Sequence, residues 1–268
     1  MMRSAFKERL DILRINISNS YQVETAYFAN NLGGLLSTLI FTLTYLVFIN
    51  VIFSNVKTMA GYSKDEMLFL ILMGQTTFYL LSSLSMDNND QMITDVNRGN
   101  LDLLLVKPLP TLFYISLRNV NLLAMARDGV IPCVFVVAAI HWQNLTFTPL
   151  GNVLGFLALI FGLLAADTVK FLLSIPVFWK GEAQEISGLF YALTSNNFPL
   201  EGLQTFMRIS FTIIIPVIIG DSVSASIFLG KSPAWPLFGL AVGMGVLCLC
   251  IKSLAWRLAL RNYSSASS

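Results

Sequence analysis

No charged side chain occurs in the 32 residues from Thr25 to Val56. A helix needs only about 20 residues to cross the roughly 30 Å of bilayer hydrocarbon. Backbone placed there must satisfy its own polar groups, so this run constrains the chain to a helical membrane protein with a first span over 32–53. A short polar link, Asn55 to Glu66, precedes a second uncharged run, Met67 to Met86, that stops at Asp87. Composition agrees: of 268 residues 55% are hydrophobic and 12% charged, with a mean hydropathy of +0.70. The fold class is all-α and polytopic.

Further along, the spans are less cleanly bounded. The uncharged run from Gly129 to Ile140 is too short to cross at about 1.5 Å per residue, so a third span, 122–141, must take Arg127 and Asp128 into its first turns. A fourth, 150–176, contains Asp167 and Lys170. A fifth is placed at 183–197 and the last at 237–254. Between these two, 209–229 is broken by Pro216 and by Gly220-Asp221. At the start of the chain, Phe6, Leu10, Leu13 and Ile17 repeat at helical spacing among Arg3, Lys7, Arg9 and Arg14, which predicts an interfacial amphipathic helix over 1–24.

Positive charge sets the orientation. With six crossings and a cytoplasmic N-terminus, twelve basic residues fall inside (Arg3, Lys7, Arg9, Arg14, Arg98, Lys107, Arg118, Arg127, Lys180, Lys252, Arg257, Arg261) and four outside (Lys57, Lys64, Arg208, Lys231). A seventh crossing would strand the basic C-terminus outside. Segment 209–229 is therefore expected to be re-entrant, turning back near Pro216 and Asp221, which requires burial against protein or a cavity.

The stretch 89–110, NDQMITDVNRGNLDLLLVKPLP, is the long polar interruption between the apolar runs. Met92, Ile93 and Val96 share one face of a short helix over 90–97. Gly99 suits a left-handed stop, Pro108 takes Lys107 out of helical geometry, and Pro110 is placed to open a new helix. The orientation puts this segment in the cytoplasm.

The buried charges are the second feature. An Asp or Lys at mid-membrane costs about 2.5 to 3.5 kcal/mol, while each Leu, Ile, Phe or Val returns about 0.3 to 0.6, so the fourth span inserts marginally unless its charges are paired or shallow. Asp167 and Lys170, three apart, share a helix face and can pair. Similar depth also allows an Arg127 to Asp167 bridge. The cluster Arg127, Asp128, Asp167 and Lys170 is either a polar device that moves as the protein works or a static structural set.

Other chemistry finds little material. Cys133, Cys248 and Cys250 sit in apolar runs without metal-ligand spacing, no metal site is expected, and neither GxSxG nor HExxH occurs. The single histidine, His141, lies beside Trp142 at an outer boundary. Ala225 to Ser232 misses the phosphate loop GxxxxGK[ST] at its first glycine, and Pro233 and Pro236 follow where a helix should open. The net charge of +2 without a basic aromatic cluster argues against nucleic acid as a partner.

The order of elements, the run from Arg98 through Gly99, Leu101, Asp102, Lys107 and Pro108 to Leu109, and the late pattern Phe198-Pro199, Arg208, Ile215-Pro216 and Leu229-Gly230 resemble type-2 ABC permeases. Within these the chain resembles the six-span bacterial permeases that carry an Arg-Gly-x-Leu-Asp-x-x-Leu-x-Arg-Pro-Leu-like loop. It differs in having Lys107 for arginine, which cannot make a forked contact, and Asp221 in the re-entrant segment.

The resemblance implies a permease subunit of an ATP-binding cassette exporter in the bacterial cytoplasmic (inner) membrane, with both termini cytoplasmic. It implies no enzyme activity and no cofactor in this chain, with ATP and Mg on a separate cytoplasmic ABC ATPase. A second permease, identical or related, would complete a dimer in the lipid bilayer. The 89–110 segment would be the coupling helix: Met92, Ile93 and Val96 in a groove of the ATPase, Arg98 and Asp102 on its rim, and Gly99, Leu101, Lys107 and Pro108 completing the set. Pro216 and Asp221 would form a re-entrant gate. The alternative is an ion- or proton-coupled secondary transporter using Asp167, Lys170 and Arg127, although inverted halves with matched broken helices are not evident. An assembly subunit would leave 89–110 unexplained.

Overall fold

In the computed structural model, the described residues are 28–107, 110–181, 183–194 and 199–263, with Ser18 and Gln22. The interfacial helix expected over 1–24 lies outside them apart from those two residues, as does Pro108. The described chain is helical throughout, its one β-bridge joining Met59 to Tyr62.

Helix α1 (Phe28–Asn55) leads through a tight link to α2 (Lys64–Asn97). Ser63 caps α2: its Oγ accepts from the Glu66 amide at 3.4 Å, and its own amide donates to Glu66 Oε2 at 2.8 Å. The short helix expected from Asp90 is instead the end of α2, which continues from its apolar part through a π turn at Ser82–Met86. Continuity is possible because the polar residues are bonded inside the bundle. Asn88 donates to the carbonyls of Ser116 and Asn119, and Asn89 to Ser85. The chain then forms α3 (Leu101–Leu105), α4 (Thr111–Leu117) and α5, residues 122–139 with a π turn at Met125–Val130.

Thr148 caps α6 (Pro149–Ser174), which is followed by α7 (Val177–Lys180) and α8 (Gln184–Thr194). Two arms, α9 (Thr205–Ile214) and α10 (Ile219–Phe228), meet at 104°, and α11 (Ala234–Asn262) ends the described helices.

Six full spans are not what the helices display. Among the described residues four are long and apolar enough to cross a membrane (Leu32–Asn55, Lys64–Asn97, Pro149–Lys180 and Ala234–Asn262), or five if the bent pair counts as one. The run expected to supply a fifth span over 183–197 yields only the 11 residues of α8, about 17 Å at 1.5 Å per residue. Its apolar stretch is too short for a full crossing.

Helix α6 is the axis on which α2, α8, α10 and α11 pack. Three glycines let α10 lie against it. An added Cβ would meet the Ile227 carbonyl at 3.2 Å from Gly151, the Phe228 ring at 2.6 Å from Gly155, and the Gly220 amide at 2.2 Å from Gly162. The two helices are therefore antiparallel. Gly220 lies 11 residues along α6 from the level of Ile227, since 162 − 151 = 11, about 16 Å deeper.

Both sides of the bent pair return to one end of the bundle. Glu201, before it, accepts from Ser232, after it, at 2.7 Å, and from the Tyr62 hydroxyl at 2.6 Å. Lys231 pairs with Glu66 at 2.7 Å. At this Tyr62 end Asp65 also holds the α5–α6 link, accepting from the His141 amide at 3.0 Å and the Asn144 side chain at 2.6 Å. The opposite end carries a core of Met92, Ile93, Leu101, Phe171, Phe178 and Trp256.

Candidate functional site

The polar segment after the second span folds back on itself. Helix α2 ends where Arg98 N bonds Thr94 O at 3.0 Å and Gly99 turns left-handed at φ +72°. Helix α3 forms the tip, and α4 returns alongside α2. Arg118 pairs with Asp95 at 2.5 Å, and the Asn119 amide donates to Asn88 Oδ1 at 2.9 Å. The hairpin is thus clamped at its base. Lys107 stands over the Tyr114 ring, 5.3 Å from its centroid.

This geometry revises the coupling face expected from the apolar stripe. Met92 and Ile93 are fully buried and Val96 nearly so, packed on Phe171, Phe178 and Trp256 of the same chain. They cannot also fill a groove on another protein. Leu101 is likewise buried, while Asp102 is half-buried. It stands near Tyr263, whose phenol is pushed above its ordinary value by burial and then by that carboxylate. The face left open is the tip: Leu103 and Val106 are 66% and 80% exposed, flanked by exposed Arg98, Asn100 and Lys107. An apolar stripe shows that one face of a helix is buried, but not by what. The apolar patch from Leu103 to Val106 was the available signal for the tip.

The buried charges form a ladder across the helices near the same end. Lys252 Nζ lies 2.6 Å from Asp167 Oδ2, and Ser85 donates to Asp167 Oδ1. One turn further, Lys170, fully buried, reaches Asp90 Oδ1 at 2.8 Å and Ser187 Oγ at 2.6 Å. Ser187 and Tyr191 donate to Asp90 at 2.9 and 3.0 Å. The expected Asp167–Lys170 pair therefore does not form. Although both project from one face of α6, one turns to α11 and the π turn of α2, the other to the end of α2 and α8. Nor does Arg127 bridge to Asp167. It makes a two-pronged contact with its neighbour Asp128 at 2.7 and 2.6 Å. Asp90 and Lys252 were missed because they lie about 80 residues from their partners and adjoin soluble-looking stretches.

At the bend between α9 and α10, Pro216 is buried and interrupts the helical bonding, and Val217 N reaches back to Ile215 O at 2.7 Å. Asp221, also buried, accepts from the Ser222 amide at 2.5 Å at the start of α10. Gly220 leaves no space beside the Thr77 side chain, 2.9 Å from an added Cβ. The near phosphate loop is structurally committed elsewhere: Lys231 to Glu66 and Ser226 to Glu201 at 2.5 Å.

Residues 39–267 of the chain match the family model of the ABC-2 family transporter protein. No curated protein and no solved structure matches it.

Proposed function

Since the chain belongs to the ABC-2 family of transporter proteins, and is therefore a membrane-embedded ABC transporter permease partnered by an ATPase component, we propose that it is the pathway-forming subunit of an exporter driven by a separate cytoplasmic ATPase through α3. In this reading ATP and Mg are held by that partner. Two permeases, identical or related, form the pathway in a bacterial inner membrane.

The observation that carries the coupling assignment is the exposed apolar tip, Leu103 and Val106, on a hairpin clamped by Arg118–Asp95 and Asn88. Contiguous apolar side chains beside exposed cations are what a soluble partner's groove would cover. Push or pull on such a tip passes directly into α2, because α2 is one helix from Lys64 to Asn97.

The topology we assign has six passages between the two bundle ends. Helices α1, α2, α5, α6 and α11 make five, and α8, which packs on α6, belongs to the sixth. The pair α9–α10 enters and leaves at the Tyr62 end. The basic residues near the Arg98 end favour placing that end, and both termini, in the cytoplasm. The secondary-transporter alternative is weaker, since Lys170, Asp167 and Arg127 are each paired inside the chain, with Asp90, Lys252 and Asp128 respectively.

The test is copurification in mild detergent. The wild-type chain should retain an ATPase, and Leu103→Asp/Val106→Asp should lose it while still inserting and eluting as a single species. Retention by that variant would reject α3 as the docking element.

A further inference from the structure

A cavity of about 560 Å³ opens between α2, α4, α6 and α11. Its walls are hydrocarbon: Leu80 and Leu84 from α2, Leu163 and Leu164 from α6, Leu112 and Phe113 from α4. Its one charged corner is the Asp167–Lys252 pair, with Ser85 and Ser116 beside it. The volume falls within the roughly 300 to 1,000 Å³ of small-molecule sites, and so does the pattern of apolar walls with few polar groups.

The polarity is ordered along the membrane normal. Both α2 and α6 run away from the Tyr62 end, so Leu80 and Leu163 lie toward the middle of the bundle and Ser85 and Asp167 about one turn nearer the Arg98 end. Asp167 is 18 residues from Pro149, since 167 − 149 = 18, or about 27 Å along the helix. That depth is the boundary of the hydrocarbon on the Arg98 side. A membrane amphiphile in that leaflet has the same order, chain toward the mid-plane and head toward the boundary. The order holds whichever membrane face the Arg98 end meets, so the inference does not depend on the exporter reading.

The corner also selects a head. Both Asp167 oxygens are engaged, one by Lys252 and one by Ser85. An ammonium has three donors; Lys252 places one on Asp167 and also stands over the Phe171 ring, 5.1 Å from its centroid, which leaves donor capacity for one further oxygen. An oxygen acceptor is what the corner can still take.

We propose that this cavity binds an acyl-chain amphiphile with an acidic head, the chain against the leucines and a carboxylate or phosphate oxygen at Lys252. Photolabelling of the full chain in phospholipid vesicles tests it. The probes are a diazirine-bearing free fatty acid, a phosphatidylglycerol carrying the same chain, and the corresponding fatty alcohol. Adducts with an acidic probe should map to peptides containing Leu84, Phe113 and Leu164 several-fold above those on exposed Phe41 and Val47 of α1. Whichever acidic probe dominates identifies the source as free acid or phospholipid. Leu164→Trp, which fills the cavity, should lower the cavity adducts several-fold and leave α1 labelling unchanged; Leu80→Phe serves the same purpose if the first variant does not elute as a single species. Lys252→Gln should lower the ratio of acidic to alcohol labelling several-fold. Even labelling of cavity and α1, or cavity labelling unaffected by the filling variants, overturns the site. An unchanged acidic-to-alcohol ratio in Lys252→Gln overturns the assigned head.

Discussion

Lys252 in the last helix lies 2.6 Å from an oxygen of Asp167 in α6, joining two spans whose charged residues are 85 positions apart. Each charge makes the other tolerable at that depth. Lys252→Met should leave the Asp167 carboxylate with Ser85 alone and lower stability by about 1 to 3 kcal/mol. Combining it with Asp167→Asn should cost less than the sum of the two single changes. Thermal unfolding of the four proteins in one detergent measures the difference, and strict additivity would contradict the pairing.

Lys170 is fully buried among Asp90, Ser187 and Tyr191. Lys170→Met leaves the Asp90 carboxylate, one third exposed, with only the Ser187 and Tyr191 hydroxyls, a loss of about 1 to 3 kcal/mol. Because Ser187 and Tyr191 belong to α8, hydrogen exchange should rise over residues 184–194 before it rises in α11.

Gly162 and Gly239 offer a matched contrast on two spans. A methyl at Gly162 would stand 2.2 Å from the Gly220 backbone, whereas nothing lies within 4 Å of one at Gly239. Gly162→Ala should cost about 1 to 3 kcal/mol through overpacking. Gly239→Ala should be neutral or stabilising by up to about 1 kcal/mol, the helical cost of glycine. Comparable effects of the two in thermal unfolding would dismiss the close approach of α10 to α6.

The coupling hairpin separates stability from function. Met92→Ala should cost about 2 to 5 kcal/mol, as for a fully buried side chain. Leu103→Asp/Val106→Asp should leave the unfolding temperature unchanged and abolish stimulation of the partner ATPase. Gly99→Ala, at φ +72°, should cost about 1 to 2 kcal/mol for the left-handed conformation.

Acid should loosen the Tyr62 end. Burial alone would raise the Glu201 carboxyl, but hydroxyl donors on Ser226, Tyr62 and Ser232 outweigh it and hold the group below its ordinary value. A carboxyl lowered on folding contributes stability above its unfolded pKa, and this is lost as pH falls through the folded value. Wild-type stability should therefore decline from about pH 4.3 downward, and Glu201→Gln should flatten that decline. Equal acid profiles for the two proteins would show that Glu201 does not hold this end.

Much of the site was readable from local rules. The Arg98 to Gly99 stop, the apolar patch that becomes the α3 tip, and the need to pair Asp167 and Lys170 follow from residue chemistry within a few turns. What misled was the stripe Met92, Ile93 and Val96, whose burial is satisfied inside the chain by Phe171, Phe178 and Trp256. Residues 89–110 read as a polar interruption after the second span, because Asn88 meets the Ser116 and Asn119 carbonyls, and Asp95 meets Arg118, only once α4 folds back on α2.

By itself the sequence determined that this chain is an all-helical membrane protein, because long uncharged runs in hydrocarbon leave the backbone only its own bonds. Which charge meets which, which face of 89–110 is spent on the core, and where α10 seats in the glycine groove of α6 were decided by tertiary structure. A buried charge needs a partner, and any opposite charge at the right depth will satisfy that demand. Only the packing of distant helices selects Lys252 for Asp167 and Asp90 for Lys170.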